Sequence, residues 1–418
     1  MNLSAFPELL SSSGQELIQL ASERDPLEAS FLGQAAALAR TCPWASSDLV
    51  RAALETAILR REAAARFSRA GQMYFTREAL EQASSEPVAR HRALRFRGQK
   101  MIVDLACGVG GDTCALSEAG PVLAVDRDAL RLQMARENVR VCAPSGRTWF
   151  VQSDLAALGL PRQVGIAHAA LYCDPSRRAG GRRLFHLEGY RPPFSTVASW
   201  HQADPQRPMA IKVSPGVDRD ELAPYDCEME FVSWRGELKE ACLWFGAFRS
   251  ARRRATLLPG EFTICEDPTC PPAAVREPGT VLYEPDPAVL RAGLVAELAQ
   301  ILDAWQVDRD IAYLSSLRCV ATPLARAFQV QEVLPFGLKT LRKWLRANGV
   351  GHVIVKKRGS PIDPQALIHQ LRLEGPDSRI LFLTKVQGRP SVLVGNVPPG
   401  FGTESAEGTS PEIVSPVA

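Results

Sequence analysis

The sequence lacks the pairings by which cysteines usually declare a role. Ten cysteines are spread over 418 residues, yet there is no C-x-x-C pair and no Cys/His group at zinc-ligand spacing. Cys265 and Cys270, in a proline-rich stretch, come closest. This argues against a zinc module or a disulfide framework and for free intracellular thiols. No metal site is expected. Long apolar runs are missing too: none approaches about 18 residues, and the opening MNLSAFPELLSSSGQ has neither a basic lead nor an apolar centre. The expectation is a cytoplasmic protein without membrane association. Charge bias is also small. A net charge of +3 does not by itself mark a nucleic-acid binder, so any basic surface must be local. What remains is ordinary globular composition, 46% apolar and 23% charged, in a chain long enough for about two to four domains.

Against that plain background one stretch carries chemistry: Ile102 to Asp126, IVDLACGVGGDTCALSEAGPVLAVD. It reads as a strand, a glycine turn, a helix and a second strand ending in an acid. Gly108, Gly110 and Gly111 let the backbone approach a ligand. The following helix aims its free N–H groups at that ligand, with Asp112 in its first turn. Asp126, closing the second strand with Arg127 beside it, suits the two hydroxyls of a ribose. A dinucleotide fingerprint would need a small third residue where this chain has Thr113. Asp104, four residues before the first glycine, instead gives the pattern of S-adenosylmethionine sites, where a cationic amino acid end favours a carboxylate. The expected cofactor is therefore S-adenosylmethionine, held by Asp104, Gly108, Gly110, Asp112, Asp126 and Arg127.

Residues 1–94 read as all-helical, with apolar positions at Leu17, Ile18, Leu27, Phe31, Leu32, Leu38, Leu49, Leu54 and Leu59. Ser46 and Ser47 can cap a helix running to about Phe67. Most of this region reads as a packing module. Its last part, Glu78 to Glu86, leads into the first cofactor strand and by position can close over the cofactor. Beyond Asp126 come a helix from about Ala129 to Val139 and a strand at Trp149–Val151. Asp154 follows, as a candidate for an adenine amino group or as a helix N-cap. A fourth strand spans Ala167 to Cys173 and a fifth Met209 to Val213. Two runs, Cys227 to Trp234 and Ala241 to Phe248, read as an antiparallel hairpin. Five parallel strands closed by such a hairpin make the α/β, Rossmann-like class I methyltransferase architecture, expected over 95–255. Extended pieces at Ala255–Leu258 and Phe262–Ile264 and a helix through Val289 to Leu302 follow. Residues 331–395 hold eleven Lys or Arg against four acids, a local net charge of +7. Val397 to Ala418 reads as a disordered tail.

The loop after the fourth strand is Asp174-Pro175-Ser176-Arg177-Arg178-Ala179-Gly180-Gly181-Arg182-Arg183. In an open α/β sheet, chemistry sits beyond the carboxyl ends of the strands near the switch point, where this loop belongs. Methyltransferases acting on exocyclic or amide nitrogens carry Asp/Asn/Ser-Pro-Pro-aromatic there, and accept the N–H hydrogens so that the lone pair faces the methyl group. Asp174 and Pro175 fit; Ser176 and Arg177 depart from the pattern. Base stacking then falls to an arginine plane or to Tyr172, Phe185 or Tyr190. Methylation of uracil carbon 5 is disfavoured, because Val213-Ser214-Pro215 supplies no thiol after the fifth strand and strand alternation turns Cys173 away from Asp174.

The arrangement resembles bacterial class I methyltransferases with a C-terminal THUMP-like domain, related to trimethylguanosine synthase. The resemblance rests on Leu80 to Glu86, Asp104 to Asp112 with Asp126, Asp174 to Arg178, Tyr283-Glu284-Pro285 and Lys356-Lys357-Arg358-Gly359. It implies a ferredoxin-like segment at 281–327 and a THUMP-like basic domain at 328–395, small α+β pieces behind the N-terminal helical and catalytic domains. The leading expectation is methyl transfer to a base nitrogen of RNA, with guanine the base first in view. Asp174 and Pro175 would be catalytic, and Arg177, Arg178, Arg182, Arg183, Lys356, Lys357 and Arg358 would hold phosphates. DNA is not expected as a partner, and the oligomeric state is not addressed by the sequence. The alternatives are a methyltransferase for a protein or small-molecule amine and a non-catalytic RNA-binding protein.

Overall fold

The computed structural model describes residue 3 and residues 5–155, 168–176, 178–179, 182–183, 186–202 and 204–397. The chain divides into two compact units, Met1–Trp234 with Leu238–Arg252, and Arg253–Ala418 with Arg235–Glu237.

The first unit opens with α1 (Ala5–Leu9), α2 (Ser12–Ser22), α3 (Phe31–Thr41), α4 (Ser47–Ala63), α5 (Arg77–Gln82) and α6 (Glu86–Ala93). Ser46 caps α4, its side chain accepting from the Leu49 N–H at 3.1 Å. The helix ends at Ala63, short of the expected Phe67. Leu49, Val50, Ala53, Leu54, Ala57, Ile58 and Leu59 are buried on more than one side of α4, which makes it the centre of the helical layer. Leu27 and Leu32, expected inside by their spacing, are exposed at 49% and 75%. In α3 only Leu38 is fully buried, so apolar spacing there overstated the buried face.

The sheet elements follow as β1 (Ile102–Leu105), α7 (Gly111–Ala119), β2 (Val122–Asp126), α8 (Ala129–Cys142), β3 (Thr148–Gln152), β4 (Ala170–Cys173), two-residue strands β5 (Arg178–Ala179) and β6 (Arg182–Arg183), α9 (Phe194–Gln202), β7 (Met209–Val213), α10 (Arg219–Leu222), β8 (Glu228–Trp234) and β9 (Glu237–Phe245). The large-sheet strands of this unit lie in the order β8-β9-β7-β4-β1-β2-β3. β3, β2, β1, β4 and β7 are parallel, and β9 runs antiparallel to β7. β1, β4 and β7 are buried along their whole length, as strands covered on both faces must be. The chain winds one way from β1 to β3 and the other way from β4 onward. The carboxyl ends of β1 and β4 therefore flank a crevice.

The second unit contains β10 (Arg253–Leu258), β11 (Phe262–Cys265), β12 (Val281–Pro285), α11 (Pro287–Ala292), α12 (Val295–Ile301), β13 (Trp305–Asp308), β14 (Ile311–Ser316), β15 (Ala325–Pro335), α13 (Leu338–Ala347), β16 (Val350–Lys357), α14 (Pro364–Leu371), β17 (Asp377–Val386) and β18 (Arg389–Asn396). The single helix expected through Val289 to Leu302 is two, because Gly293 takes a left-handed φ of 72° at the end of α11. Seven strands form one sheet, β13-β14-β12-β15-β18-β17-β16. Residues 327 and 328, where the sequence reading divides two small modules, lie inside β15. That strand pairs with β12 on one side and β18 on the other. Leu282, Tyr313, Phe328, Phe382 and Leu393 share one core beneath it. Residues 398–418, expected to be a disordered tail, lie outside the described residues. Among the described residues no helix is long and apolar enough to cross a membrane.

Candidate active site

A cavity of about 560 Å³ opens at the carboxyl ends of β1, β2, β3 and β4. Its walls include Asp104, Ala106, Gly108, Asp112, Asp126, Arg127, Asp154, Asp174 and Pro175, and the Glu78 to Ser84 segment supplies a further wall.

The glycine turn is held from several directions. Gly108 donates its N–H to Asp126 Oδ2 at 2.8 Å, and Asp126 Oδ1 accepts from the Asp128 N–H at 2.9 Å. Asp126 thus closes the turn as well as facing the cavity. Gly110 takes a φ of 81°, and a Cβ there would lie 3.0 Å from Ala135 of α8, so glycine is required by backbone and by packing. Ala106, with a φ of 63°, holds a left-handed conformation that carries strain in a residue with a Cβ. Asn138, fully buried on α8, donates to the Val109 carbonyl at 2.8 Å and exchanges hydrogen bonds with the backbone of Tyr74. Its trace in the sequence is a lone amide one turn beyond Met134 on an otherwise apolar face.

Asp104 is buried and accepts from the Thr113 hydroxyl at 2.5 Å. Thr113, which disfavours a dinucleotide, therefore has a positive role in fixing the acid. Burial pushes the Asp104 carboxyl up to about 8, against the Thr113 hydrogen bond and with help from the neighbouring Asp112, Asp174 and Asp126. A cation beside it would reverse that.

Asp112 is committed to a buried network. Its Oδ1 takes Arg92 at 2.6 Å and its Oδ2 the Tyr172 hydroxyl at 2.8 Å, while Arg92 also forks onto Glu240 of β9 with two contacts of 2.7 Å and meets Ser84 Oγ at 3.0 Å. Burial opposes the charge on Arg92, but Asp112 and Glu240 outweigh it and hold the guanidinium well above its ordinary range. Burial likewise opposes ionisation of Asp112, and Arg92 and then Lys212 overcome it, so the carboxyl lies below its usual range. The network ties α6, the Ser84 segment, α7, β4 and β9 to the cavity wall.

At the other end Asp174 is half-buried, and Lys212 Nζ donates to its Oδ2 at 2.6 Å. Lys212, with a side chain only 3% exposed, was not foreseen as a site residue. Its signal was a charge inside the apolar strand Met209–Val213. Cys173 is buried and does not line the cavity, in keeping with strand alternation. Ser176 and Arg191 exchange two backbone hydrogen bonds of 3.0 Å each, which brings Arg191, Pro192 and Pro193 to the cavity beside Asp174. Arg127 and Asp154 are exposed at the rim. The helix that Asp154 would cap lies outside the described residues.

Arg177 and Phe185 lie outside the described residues. Arg178 and Arg182–Arg183 are described as backbone, in the antiparallel pair β5–β6. In the second unit Lys356 is ion-paired with Glu284, while Arg358 stacks at 4.9 Å over Tyr313 and donates to the Ala312 carbonyl. The Tyr283–Pro285 and Lys356–Gly359 motifs thus meet within one unit. Two of the three cations expected to hold phosphates are engaged there, and Lys357 is the exposed one.

An open α/β sheet of this order, with an acid-lined cavity behind a glycine turn, defines a class I methyltransferase fold. The profile of RNA cap guanine-N2 methyltransferases matches residues 99–177, that of THUMP-like domains matches residues 325–396, and a domain of unknown function matches residues 2–63. An S-adenosylmethionine-dependent methyltransferase of Mycobacterium tuberculosis, itself described as uncharacterized and found in two strains, is 36% identical over 344 residues, covering 80% of this chain and 92% of the relative. A crystal structure named as a methyltransferase from Porphyromonas gingivalis W83 superposes with a TM-score of 0.71 at 19% identity, over 84% of this chain and 92% of the other. The chain belongs to the family of S-adenosylmethionine-dependent methyltransferases, and its C-terminal part is THUMP-like. The chemistry of the residues present fits that cofactor: Asp126 would take the ribose hydroxyls, Asp104 the cationic amino acid end, and the first-turn N–H groups of α7 its carboxylate.

Proposed function

We propose that this enzyme methylates a base nitrogen of RNA, with guanine the best-supported base. The observation that carries the reading is Asp174, a carboxylate at the cavity with one oxygen held by buried Lys212. Its other oxygen is left to accept an N–H hydrogen of the acceptor. S-adenosylmethionine supplies an electrophilic methyl group on a sulfonium. Asp174, with the Pro175 turn, fixes the acceptor nitrogen so that its lone pair faces that methyl group. The N–C bond then forms as the S–C bond breaks, and the surplus proton leaves to solvent. Catalysis of this kind is orientation and electrostatics, not activation of a nucleophile. The match of residues 99–177 to RNA cap guanine-N2 methyltransferases supports a nitrogen acceptor. The arginines at 177, 178, 182 and 183, Lys357, and the THUMP-like domain support RNA.

The test is transfer of labelled methyl from S-adenosylmethionine into total cellular RNA at low salt, followed by nuclease or protease treatment. Label removed by RNase and not by protease is expected, with recovery as a methylated guanine nucleoside. Asp174→Ala should lower the rate by roughly 100-fold or more, on the scale of losing a positioned polar group, with cofactor binding retained. Label that survives RNase and is lost with protease would replace this reading by a protein acceptor.

A further inference from the structure

We infer that Arg191, followed by Pro192 and Pro193, is the stacking surface for the acceptor base, a part that the aromatic ring after Asp-Pro-Pro plays in nitrogen methyltransferases and that no aromatic follows Asp174-Pro175 to play here. The inference rests on the RNA reading above and names the residue that recognises the base. Among the described residues, no aromatic side chain lines the cavity. Tyr172 is fully buried with its hydroxyl committed to Arg92 and Asp112. Tyr190 is 1% exposed, and its hydroxyl accepts from the Ser214 N–H at 3.2 Å. Both point away from the role.

The acceptor end of the cavity consists of Asp174, Pro175, Ser176, Arg191, Pro192, Pro193 and Thr196. Its rigid apolar faces are three prolines, and among the described residues its one exposed cation is Arg191. A planar guanidinium stacks on a base face and also presents donors at its edge, and prolines offer flat surfaces at little entropic cost.

The backbone under Arg191 is fixed on each side. Its N–H and carbonyl are both bonded to Ser176, so it is tied to the turn that carries Asp174. Buried Tyr190 precedes it, and buried Phe194 follows three residues later, packed edge-on against Tyr225 at 4.9 Å. No described residue pairs with the Arg191 guanidinium. A fixed backbone carrying an uncommitted cation at the cavity is what a stacking contact requires. An arginine serving the fold would be engaged, as Arg92 is.

The experiment compares wild type, Arg191→Ala, Arg191→Lys and Arg191→Trp in methyl transfer to cellular RNA, with cofactor affinity titrated for each. Stacking predicts that Arg191→Ala and Arg191→Lys both lose about 5- to 150-fold in kcat/KM, the range set by removal of one base-stacking group. Arg191→Trp should recover much of the loss, and cofactor affinity should stay within about two-fold, which shows that the variants fold. If Arg191→Lys matches wild type, the residue is a charge contact and the inference is overturned. If Arg191→Ala is unaffected, it is overturned outright. Failure of wild type itself to label any RNA pool would refute the RNA reading and this inference together, whereas labelled wild type with unaffected variants refutes only the inference.

Discussion

Asp104 gives the sharpest test at the scale of single residues. Its carboxyl is pushed up to about 8, first by burial, against an ordinary value of 3.8. Between those values the folded protein holds a proton that the unfolded chain has released, so this group's contribution to stability falls as pH rises through that window. A cationic amino acid end beside Asp104 draws off the proton. Affinity for S-adenosylmethionine should therefore rise with pH up to about 8 and then level, with proton release on binding below that pH. Calorimetric titration from pH 6 to 9 in two buffers of different ionisation enthalpy reads both quantities. Asp104→Asn should flatten the pH profile and weaken binding at pH 8. A pH-independent affinity in wild type would remove Asp104 from cofactor recognition. The sequence identified the acid; it did not show that the Thr113 hydroxyl holds it. Lys212 was missed for the opposite reason, since a lysine in a strand is ordinarily read as exposed, and only the fold buries it against Asp174.

At the scale of elements, the glycine turn separates two requirements that look alike in sequence. Gly108 and Gly110 both have left-handed φ angles, of 56° and 81°. A Cβ at Gly108 meets nothing within 4 Å, whereas one at Gly110 meets α8 at 3.0 Å. Gly108→Ala should lower thermal stability by about 1–2 kcal/mol through backbone strain alone, and its methyl group would stand at a position that lines the cofactor cavity. Gly110→Ala carries the same strain and must also displace α8, so its loss of stability should be distinctly larger. Melting curves with and without S-adenosylmethionine distinguish the two. Stabilisation by the cofactor should be reduced in Gly108→Ala, and the midpoint of the cofactor-free protein should fall further in Gly110→Ala. Equal midpoints would mean that α8 yields at no cost.

At the scale of the whole molecule, charge is distributed unevenly: residues 331–395 carry +7 while the entire chain carries +3. α13 buries Leu341 and Leu345 and exposes Lys339, Lys343 and Arg346. If this face contacts RNA phosphates, affinity should fall steeply with salt. Lys339→Gln with Lys343→Gln should then reduce the slope of log affinity against log salt by about 1.5, at roughly 0.7 to 0.9 per phosphate contact. The rate at saturating RNA should be unchanged. Filter binding of cellular RNA across a salt series measures it, and an unaltered slope would exclude α13 from the interface.

What the sequence determined by itself was local. The strand–turn–helix–strand of residues 102–126 with its acids Asp104 and Asp126, the hairpin after the fifth strand and the basic excess near the C-terminus are set by glycine stereochemistry, apolar period and charge, all of which act over a few residues. The tertiary structure decided the contacts between residues far apart in the chain. Arg92 with Glu240, Asn138 with Tyr74, Lys212 with Asp174 and Arg191 beside Ser176 are such pairings. So is β15, which joins what sequence pattern separated into two modules. Burial and ion pairing depend on which strands become neighbours, and a parallel sheet fixes its neighbours through long crossovers that leave no periodic trace in the sequence.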